Sequence, residues 1–187
     1  MITDAAPIVT ARLRAHDDAH TLERYLATGG YQALRKALAM HPEEVAGEVS
    51  KASLLGRGGA GFPAGRKWSM LRPNPVRYLA VNGDESEPAT FKDHLLIESD
   101  PHQIIEGALI TAYAIGATRI FFYVRGEFAL GLERMQSALN QAYRHGAVGR
   151  HILGSGFSID AVVHPGAGAY ICGDETGLIE SLEGKRG

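Results

Sequence analysis

Apolar residues recur at helical spacing in the first part of the chain. In "GYQALRKALAM", Tyr31, Leu34 and Leu38 fall on one face of a helix. In "HPEEVAGEVSKASLL", Pro42 stands at the first helical position, and two glutamates follow in the first turn, where the helix dipole favours acidic side chains. The pattern therefore predicts a helical segment over residues 1–55.

Strand-like and helix-like segments then alternate along the rest of the chain. Strands are predicted at the starts of "VRYLAVNGDESEP", "TRIFFYVRGE" and "FSIDAVVHPGAG", and each leads into a polar or glycine-rich turn. The helix predicted in "DPHQIIEGALITAYAIGA" is capped by Asp100, begins at Pro101 and stops at Gly116. A second helix is predicted in "FALGLERMQSALNQAYRHGAVG" and a third after "ICGD". This order predicts an α/β domain over residues 56–187, with a mainly parallel sheet covered by helices.

Composition excludes several classes of protein. The chain has 187 residues, of which 45% are apolar and 21% charged, and its net charge is −2, so no broad basic surface for nucleic acid is expected. Cys172 is the one cysteine, which excludes an internal disulfide and a self-contained cysteine-ligated metal or iron–sulfur site. No window reaches the ~18 apolar residues of a membrane span, so we expect a cytoplasmic chain without direct membrane insertion.

The stretch "LLGRGGAGFP" contains the letters of the dinucleotide fingerprint G-x-G-x-x-G at Gly56, Gly58 and Gly61. That fingerprint needs a strand before it and a helix opening from it. Here a predicted helix precedes the loop, and the following "PAGRKWSMLRPNP" holds three prolines, which predicts no helix. The acidic residue expected about 20 residues later is present as Asp84. The spacing therefore argues against a standard Rossmann site.

Three groups of polar residues are expected at strand ends, where α/β sheets bind ligands. Around the glycine loop, Arg57, Arg66 and Lys67 supply positive charge, free backbone N–H groups suit an anion, and Phe62 offers an apolar face. This combination suits a phosphate beside a ring. A glycine-rich turn that binds nothing is the alternative for the loop taken alone.

The second group follows the strand "RYLAV" and contains Asn82, Asp84, Glu85 and Glu87. Carboxylates are rare in cores, so these side chains form either a solvated acidic turn or a set of acceptors for ribose or ribityl hydroxyl groups. The position at a strand end favours the second interpretation.

The third group is "GAGAYICGDETG", in which glycines surround Tyr170, Cys172, Asp174 and Glu175. Cys172 lies among small and apolar residues, which predicts a buried structural thiol. G-x-S-x-G and Walker A motifs are absent, and we predict no catalytic side chain. Ligand-holding groups without a nucleophile are typical of an enzyme whose cofactor performs the reaction.

Together the motifs resemble the family of NADH-binding, FMN-containing subunits of respiratory complex I, the NADH-quinone oxidoreductase. The resemblance rests on "GRGGAGFPAGRKW", "VNGDESEPATFKDH", "YVRGE" and "GAGAYICGDETGLIESLEGKRG". Similar subunits serve NAD-linked formate dehydrogenases and NAD-reducing hydrogenases. The resemblance implies a Rossmann-like but distinct domain for FMN and NADH. It also implies hydride transfer from NADH to FMN, followed by electron release to iron–sulfur clusters.

The resemblance also assigns roles to individual residues. For FMN it implies the backbone of the glycine loop with Lys67, the polar turn for the ribityl chain, and further contacts from the third group: Gly56, Arg57, Gly58, Gly59, Ala60, Gly61, Lys67, Asn82, Asp84, Glu85, Tyr170, Gly173 and Asp174. For the dinucleotide it implies stacking on Phe62, with Glu87 and Glu175 near its ribose and nicotinamide. Asp174 stands where the family usually has glutamate.

The resemblance further implies partners and a location. These are a small subunit with a two-iron cluster and a large iron–sulfur subunit, in a complex on the cytoplasmic side of a membrane. The chain ends at "SLEGKRG", before the family's ubiquitin-like domain and the cysteines that bind its 4Fe-4S cluster, so we expect an N-terminal fragment. Three functions stay open: electron input to quinone reduction, the diaphorase part of a formate dehydrogenase or hydrogenase, and a non-catalytic nucleotide-binding or assembly fragment.

Overall fold

The computed structural model describes residues 6–187, which form nine α-helices and one sheet of three parallel strands. The helices are Ala11–Ala15 (α1), Leu22–Ala27 (α2), Gln32–Leu38 (α3), Pro42–Lys51 (α4), Ala64–Ser69 (α5), Lys92–Ser99 (α6), Pro101–Ile115 (α7), Ala129–His145 (α8) and Glu175–Leu182 (α9). The strands are Tyr78–Gly83 (β1), Arg119–Val124 (β2) and Asp160–Pro165 (β3). Single 3₁₀ turns lie at Ile152–Gly154 and Tyr170–Gly173.

The sheet confirms the predicted α/β class. Its order is β1-β2-β3, all parallel, with Tyr78 opposite Arg119 and Arg119 opposite Asp160. Helices α6 and α7 connect β1 to β2, and α8 connects β2 to β3. Because the strands are parallel and in register, Gly83, Val124 and Pro165 end them at the same edge. The segments that follow the three strands therefore meet at one edge of the sheet.

One face of the sheet carries most of the core. Ile120 and Phe122 of β2 are fully buried against α7 and α8, with Leu109 and Met135 among their neighbours. On the other face, Tyr123 packs with α9 and with Cys172, which is fully buried, as the sequence predicted for a structural thiol.

The N-terminal helices dock on α7 through Glu106. Its Oε2 accepts the N–H of Tyr31, its Oε1 accepts the N–H of Leu34, both at 2.8 Å, and the Tyr25 hydroxyl also donates to it. Glu106 therefore caps α3 from another helix. Tyr31 and Leu34 are buried, which confirms the predicted apolar face. The boundary at residue 55 stays a prediction, and residues 1–5 of the predicted helical segment lie outside the described residues.

Helix ends follow the sequence signals with one difference. Pro42 and Pro101 open α4 and α7, and Gly116 ends α7 with a φ of +66°. Asp100 stands at the cap position of α7, but its side chain makes no capping hydrogen bond and pairs with Arg12 at 2.5 Å. The prediction that Asp100 caps α7 was therefore wrong, because its carboxylate forms an ion pair with the guanidinium of Arg12 instead.

The prediction of no helix after the glycine loop was also wrong. Helix α5 begins directly after Pro63. It packs closely on α4, since a Cβ added at Gly65 would lie 2.2 Å from Ser50 Oγ. Helix α5 has only six residues, Ala64–Ser69, and the three prolines of the stretch lie outside it, so they do not interrupt it. The glycine loop lies between α4 and α5 and so does not follow a strand. The expected position of this loop at a strand end was therefore wrong. The same order supports the rejection of a standard Rossmann site, in which a strand precedes the loop.

Candidate functional site

A cleft of about 780 Å³ lies at the carboxyl edge of the sheet and brings the three sequence groups together. It is lined by the glycine loop, the segment after β1 and the segment after β3. From the predicted site residues it collects Arg57, Gly58, Gly59, Asn82, Asp84, Glu85, Glu87, Tyr170, Gly173 and Asp174. Five further residues line it that the sequence analysis did not single out: Ser86, Thr90, Lys92, Asp93 and Ile171.

The glycine loop has unpaired backbone donors, and its residues Arg57, Gly58 and Gly59 line the cleft. Its base is closed by the N–H of Gly56, which donates to the carbonyl of Phe62 at 2.9 Å. Gly59 and Gly61 have φ values of +119° and +63°, which glycine adopts without strain. Within the described part of the chain, the N–H groups of residues 57–61 have no hydrogen-bond partner. A row of free N–H groups of this kind suits an anionic oxygen.

Several predicted residues lie outside the cleft lining, namely Gly56, Ala60, Gly61, Phe62, Lys67 and Glu175. Phe62 is 41% exposed rather than part of a core, and the Arg66 guanidinium carbon lies 5.7 Å from its ring centroid. Lys67 Nζ lies 3.7 Å from Glu175 Oε2, and both side chains are largely exposed. The structure therefore places Lys67 beside Glu175, a pair that is distant in sequence.

Asp84 carries an unpaired buried oxygen beside the cleft. The residue is 8% exposed, its Oδ2 accepts the Ser86 hydroxyl at 2.6 Å, and its Oδ1 has no partner. Asn82 orders this turn, because its Oδ1 accepts the N–H of Asp84 at 3.0 Å and its Nδ2 donates to the Gly173 carbonyl at 2.8 Å. A buried carboxylate oxygen without a donor is costly, so a ligand hydroxyl or N–H group would relieve it.

Glu85 turns its carboxylate into the protein. Its side chain is 3% exposed, and its two oxygens accept the N–H groups of Asp93 at 3.1 Å and His94 at 3.0 Å. These are first-turn donors of α6, so Glu85 caps that helix. The ribityl contact implied for Glu85 stays a prediction, and the capping role explains why α6 forms here.

Glu87 and Tyr170 join two sides of the cleft. The Tyr170 hydroxyl donates to Glu87 Oε2 at 2.6 Å, and this bond raises the pKa of Tyr170 above its usual range because the phenolate would face a carboxylate. Tyr170 is 64% exposed, which leaves its ring open to a planar ligand. The pair thus gives an aromatic face and a carboxylate at the same wall of the cleft.

The start of α9 completes the cleft. Asp174 accepts the N–H of Thr176 at 3.4 Å and caps the helix. Gly173 lies close to the acidic turn, since an added Cβ would be 3.3 Å from both the carbonyl oxygen and Oδ2 of Asp84. A side chain there would crowd the oxygen atoms that face the cleft.

The missed residues were within reach of the sequence. Lys92 and Asp93 belong to the quoted motif "VNGDESEPATFKDH", and so does Ser86. Their relevance was hidden because the helix that carries Lys92 and Asp93 was not predicted. No group of three or more His, Cys, Asp or Glu side chains in residues 6–187 has the arrangement of a metal site.

Comparison with known proteins identifies the family. The sequence model described as the Nuo51 FMN-binding domain matches residues 49–187, which include every predicted site residue. The chain belongs to this family. The predicted resemblance and the FMN cofactor are thereby confirmed for the Nuo51 FMN-binding domain. The cleft fits FMN, because free N–H groups suit its phosphate and Asp84 Oδ1 suits a hydroxyl donor.

Relatives with this domain are much longer than this chain. An NADH-quinone oxidoreductase subunit of Aquifex aeolicus is 56% identical over 169 residues, which cover 90% of this chain and 40% of that protein. The corresponding NADH-quinone oxidoreductase subunit of Escherichia coli is 44% identical over 182 residues, covering 95% of this chain and 41% of that protein. The chain thus spans about two fifths of the length of these relatives.

A solved hydrogenase structure contains a similar fold. An NAD⁺-reducing [NiFe]-hydrogenase in the H₂-reduced state has a chain that matches with a TM-score of 0.72 and 37% identity, over 88% of this chain and 28% of its own length. Among residues 6–187, none of the helices has the length and apolar character needed to cross a bilayer.

Proposed function

We propose that this chain holds FMN and NADH together for hydride transfer, as the electron-input part of an NADH-quinone oxidoreductase. The observation that carries the proposal is the cleft in which the glycine loop, the Asp84 turn and the Tyr170–Gly173 turn meet. The names of the related NADH-quinone oxidoreductase subunits support the choice of quinone reductase.

The glycine loop would bind the phosphate of FMN. Its N–H groups at residues 57–61 are unpaired within the described residues, and Arg57, Gly58 and Gly59 line the cleft. Lys67 would add positive charge next to Glu175. Backbone N–H groups and surface cations of this kind can bind a phosphate without any rearrangement of the core.

The polar turn would bind the hydroxyl groups of the ribityl chain. Asp84 Oδ1 is a ready acceptor, and Asn82 holds the turn in place through Gly173. Phe62, Glu87 and Glu175 would orient the dinucleotide, since each exposes an aromatic face or a carboxylate at or beside the cleft. Tyr170, whose ring is exposed, would lie against the flavin.

FMN, when bound, supplies a hydride acceptor that can release electrons singly. The residues of the chain then have to position two rings and exclude water rather than donate or accept a proton. Tyr170 keeps its proton, because its hydrogen bond to Glu87 favours the neutral phenol. This assignment agrees with the prediction of no catalytic side chain.

The proposal extends to partners and location. Electrons would leave to a 4Fe-4S cluster held elsewhere in the full-length protein and to neighbouring iron–sulfur subunits, one small with a two-iron cluster and one large. The assembly would lie on the cytoplasmic face of a membrane, attached through its other subunits. The names of the relatives, which mark them as subunits of an oxidoreductase, support this part of the proposal.

Titration of the 187-residue chain with FMN, followed by anaerobic addition of NADH, tests the proposal. We expect quenching of flavin fluorescence on binding, then loss of the visible flavin absorbance on NADH addition. Binding without loss of absorbance would reduce the chain to a nucleotide-binding module. Failure of a folded chain to bind FMN would contradict a flavin site within it and favour an assembly fragment.

A diaphorase part of an NAD⁺-reducing hydrogenase is the second candidate. The structural match at a TM-score of 0.72 favours it, whereas the higher identity to the NADH-quinone oxidoreductase relatives favours quinone reductase. Neighbouring genes would separate the two, because genes for quinone-site membrane subunits support the first and a nickel subunit supports the second. A molybdenum subunit would indicate the formate dehydrogenase alternative.

A further inference from the structure

Arg125 follows β2 and reaches across to the acidic turn. Its Nη1 donates to the backbone carbonyl of Glu85 at 2.8 Å, and its Nη2 donates to Glu127 Oε1 at 3.2 Å. Its Nε lies 3.1 Å from Glu127 Oε2, and the side chain is 27% exposed. Glu127 thus orients the guanidinium, and Nη1 donates to the turn that follows β1.

The residues beside Arg125 bind the third segment. A Cβ added at Gly126 would lie 2.5 Å from the carbonyl oxygen of Gly166, so these backbones touch. Gly168 approaches Glu127, with the position of its missing Cβ 3.4 Å from Oε1. The triplet Arg125, Gly126 and Glu127 therefore joins the segments that follow β1, β2 and β3.

We propose that Arg125 is a positioning residue for the FMN site, which fixes the turn of Asp84 and Glu85 in the shape that accepts the ligand. The inference rests on the proposed function. It adds a residue that does not line the cleft and acts through the backbone of residues that do.

The hydrogen-bond pattern explains why one arginine has this effect. Among the described residues, Arg125 is the one donor to the carbonyl groups of residues 84–86. The hydrogen bond to Glu127 is the main cause that raises the pKa of Arg125, and the negative charge of Asp84 raises it further. Lysine cannot replace it fully, because one ammonium cannot present a planar fork to Glu127 and the Glu85 carbonyl together.

The test compares Arg125→Ala and Arg125→Lys with wild type, and uses Arg119→Ala as the matched control. Arg119 is an exposed arginine at the opposite end of the same strand, away from the cleft. Two measurements are made on each chain. Hydrogen exchange of residues 83–90 is followed without ligand, and the dissociation constant for FMN is measured by fluorescence quenching.

We expect faster exchange of the turn in both Arg125 variants, and FMN binding weaker by about tenfold in Arg125→Ala. Millimolar methylguanidinium should restore part of the FMN affinity of Arg125→Ala, which a general loss of fold would not allow. Arg119→Ala should behave as wild type. Thermal unfolding of each variant identifies any chain that fails to fold, and Arg125→Lys then carries the comparison.

Unchanged exchange of the turn in Arg125→Ala would overturn the proposal. So would an Arg125→Lys chain equal to wild type in both measurements, because charge without the fork would then suffice. If wild type itself fails to bind FMN, the proposed function falls, whereas the exchange measurement still decides whether Arg125 orders the turn.

Discussion

At the scale of single residues, the carboxylate of Asp84 lowers the stability of the fold and suits the binding of a ligand. Its Oδ1 is buried without a donor, while Oδ2 is held by Ser86. An unpaired buried anionic oxygen destabilises the folded chain, yet the same atom is the acceptor that a polyol ligand needs. A residue that lowers stability but serves ligand binding is typical of a functional site.

Asp84→Asn should separate the two effects. The amide removes the buried charge, so the free energy of unfolding should rise by about 1 kcal/mol, while FMN affinity should fall about tenfold because a donor replaces the acceptor. Urea denaturation and fluorescence quenching measure the two quantities. Asp160→Asn, at an exposed carboxylate that begins β3, is the control and should change neither. An FMN affinity of Asp84→Asn equal to that of wild type would show that Oδ1 is not an acceptor for the ligand.

At the scale of elements, glutamates that lie outside two of the helices cap their N-terminal ends. Glu106 on α7 accepts the first N–H groups of α3, and Glu85 after β1 accepts those of α6. Both helices are short, with seven and eight residues, and such helices are marginal in isolation. Their formation therefore depends on carboxylates supplied by other elements.

Glu106→Gln should loosen the N-terminal helices from α7. The amide keeps one oxygen but turns N–H₂ toward buried donors, so we expect a loss of about 2–4 kcal/mol in the free energy of unfolding. Urea denaturation followed by far-ultraviolet circular dichroism measures it. Glu133→Gln, on the exposed face of α8, should leave stability within about 0.5 kcal/mol of wild type. Equal behaviour of the two variants would exclude a capping role for Glu106.

At the scale of the whole molecule, a buried hydrogen-bonded chain ties the N-terminal helices to the sheet domain. The Tyr31 hydroxyl lies 2.9 Å from His102 Nδ1, and His102 Nε2 lies 3.1 Å from Gln141 Oε1. The same Gln141 oxygen accepts the N–H of Leu22, so Nε2 carries the proton and Nδ1 accepts from Tyr31. Burial lowers the pKa of His102, so folding favours the neutral ring.

Stability should consequently fall in mild acid. The unfolded chain binds a proton at His102 near pH of about 6.5, which the folded chain takes up only at lower pH, so the free energy of unfolding decreases as pH falls through that range. Urea denaturation from about pH 8 to about pH 5.5 should show this slope, and His102→Gln should flatten it. His151→Asn, at an exposed histidine with a φ of +49°, should retain the full slope.

Asp100, which lies close to His102 in sequence, contributes to the pH dependence with the opposite sign. Burial raises the pKa of Asp100 although Arg12 opposes the change, so its titration favours the folded chain as pH falls. It therefore acts opposite to His102. A slope that persists in His102→Gln would show that another titratable group causes the acid sensitivity.

Much of the fold could be predicted because its signals are local. The strands β1, β2 and β3 and the long helices α7 and α8 follow from runs of apolar residues, from prolines and from glycines. The three polar groups of the site could be found for the same reason, since glycine clusters and carboxylates at strand ends have a local chemical meaning. The burial of Cys172 followed from its apolar surroundings.

What the sequence by itself determined was therefore which segments form strands and long helices, and which short motifs carry ligand chemistry. Tertiary structure alone decided which partners the charged groups took. Glu85 and Glu106 cap helices. Asp100 pairs with Arg12, which is 88 positions away, and Arg125 donates to the carbonyl of Glu85. Glu106, Asp100 and Arg125 have partners 40 or more positions away, whereas Glu85 caps a helix that begins only a few residues later. In each case a polar group that is buried on folding pairs with the group that the packing places within hydrogen-bond distance.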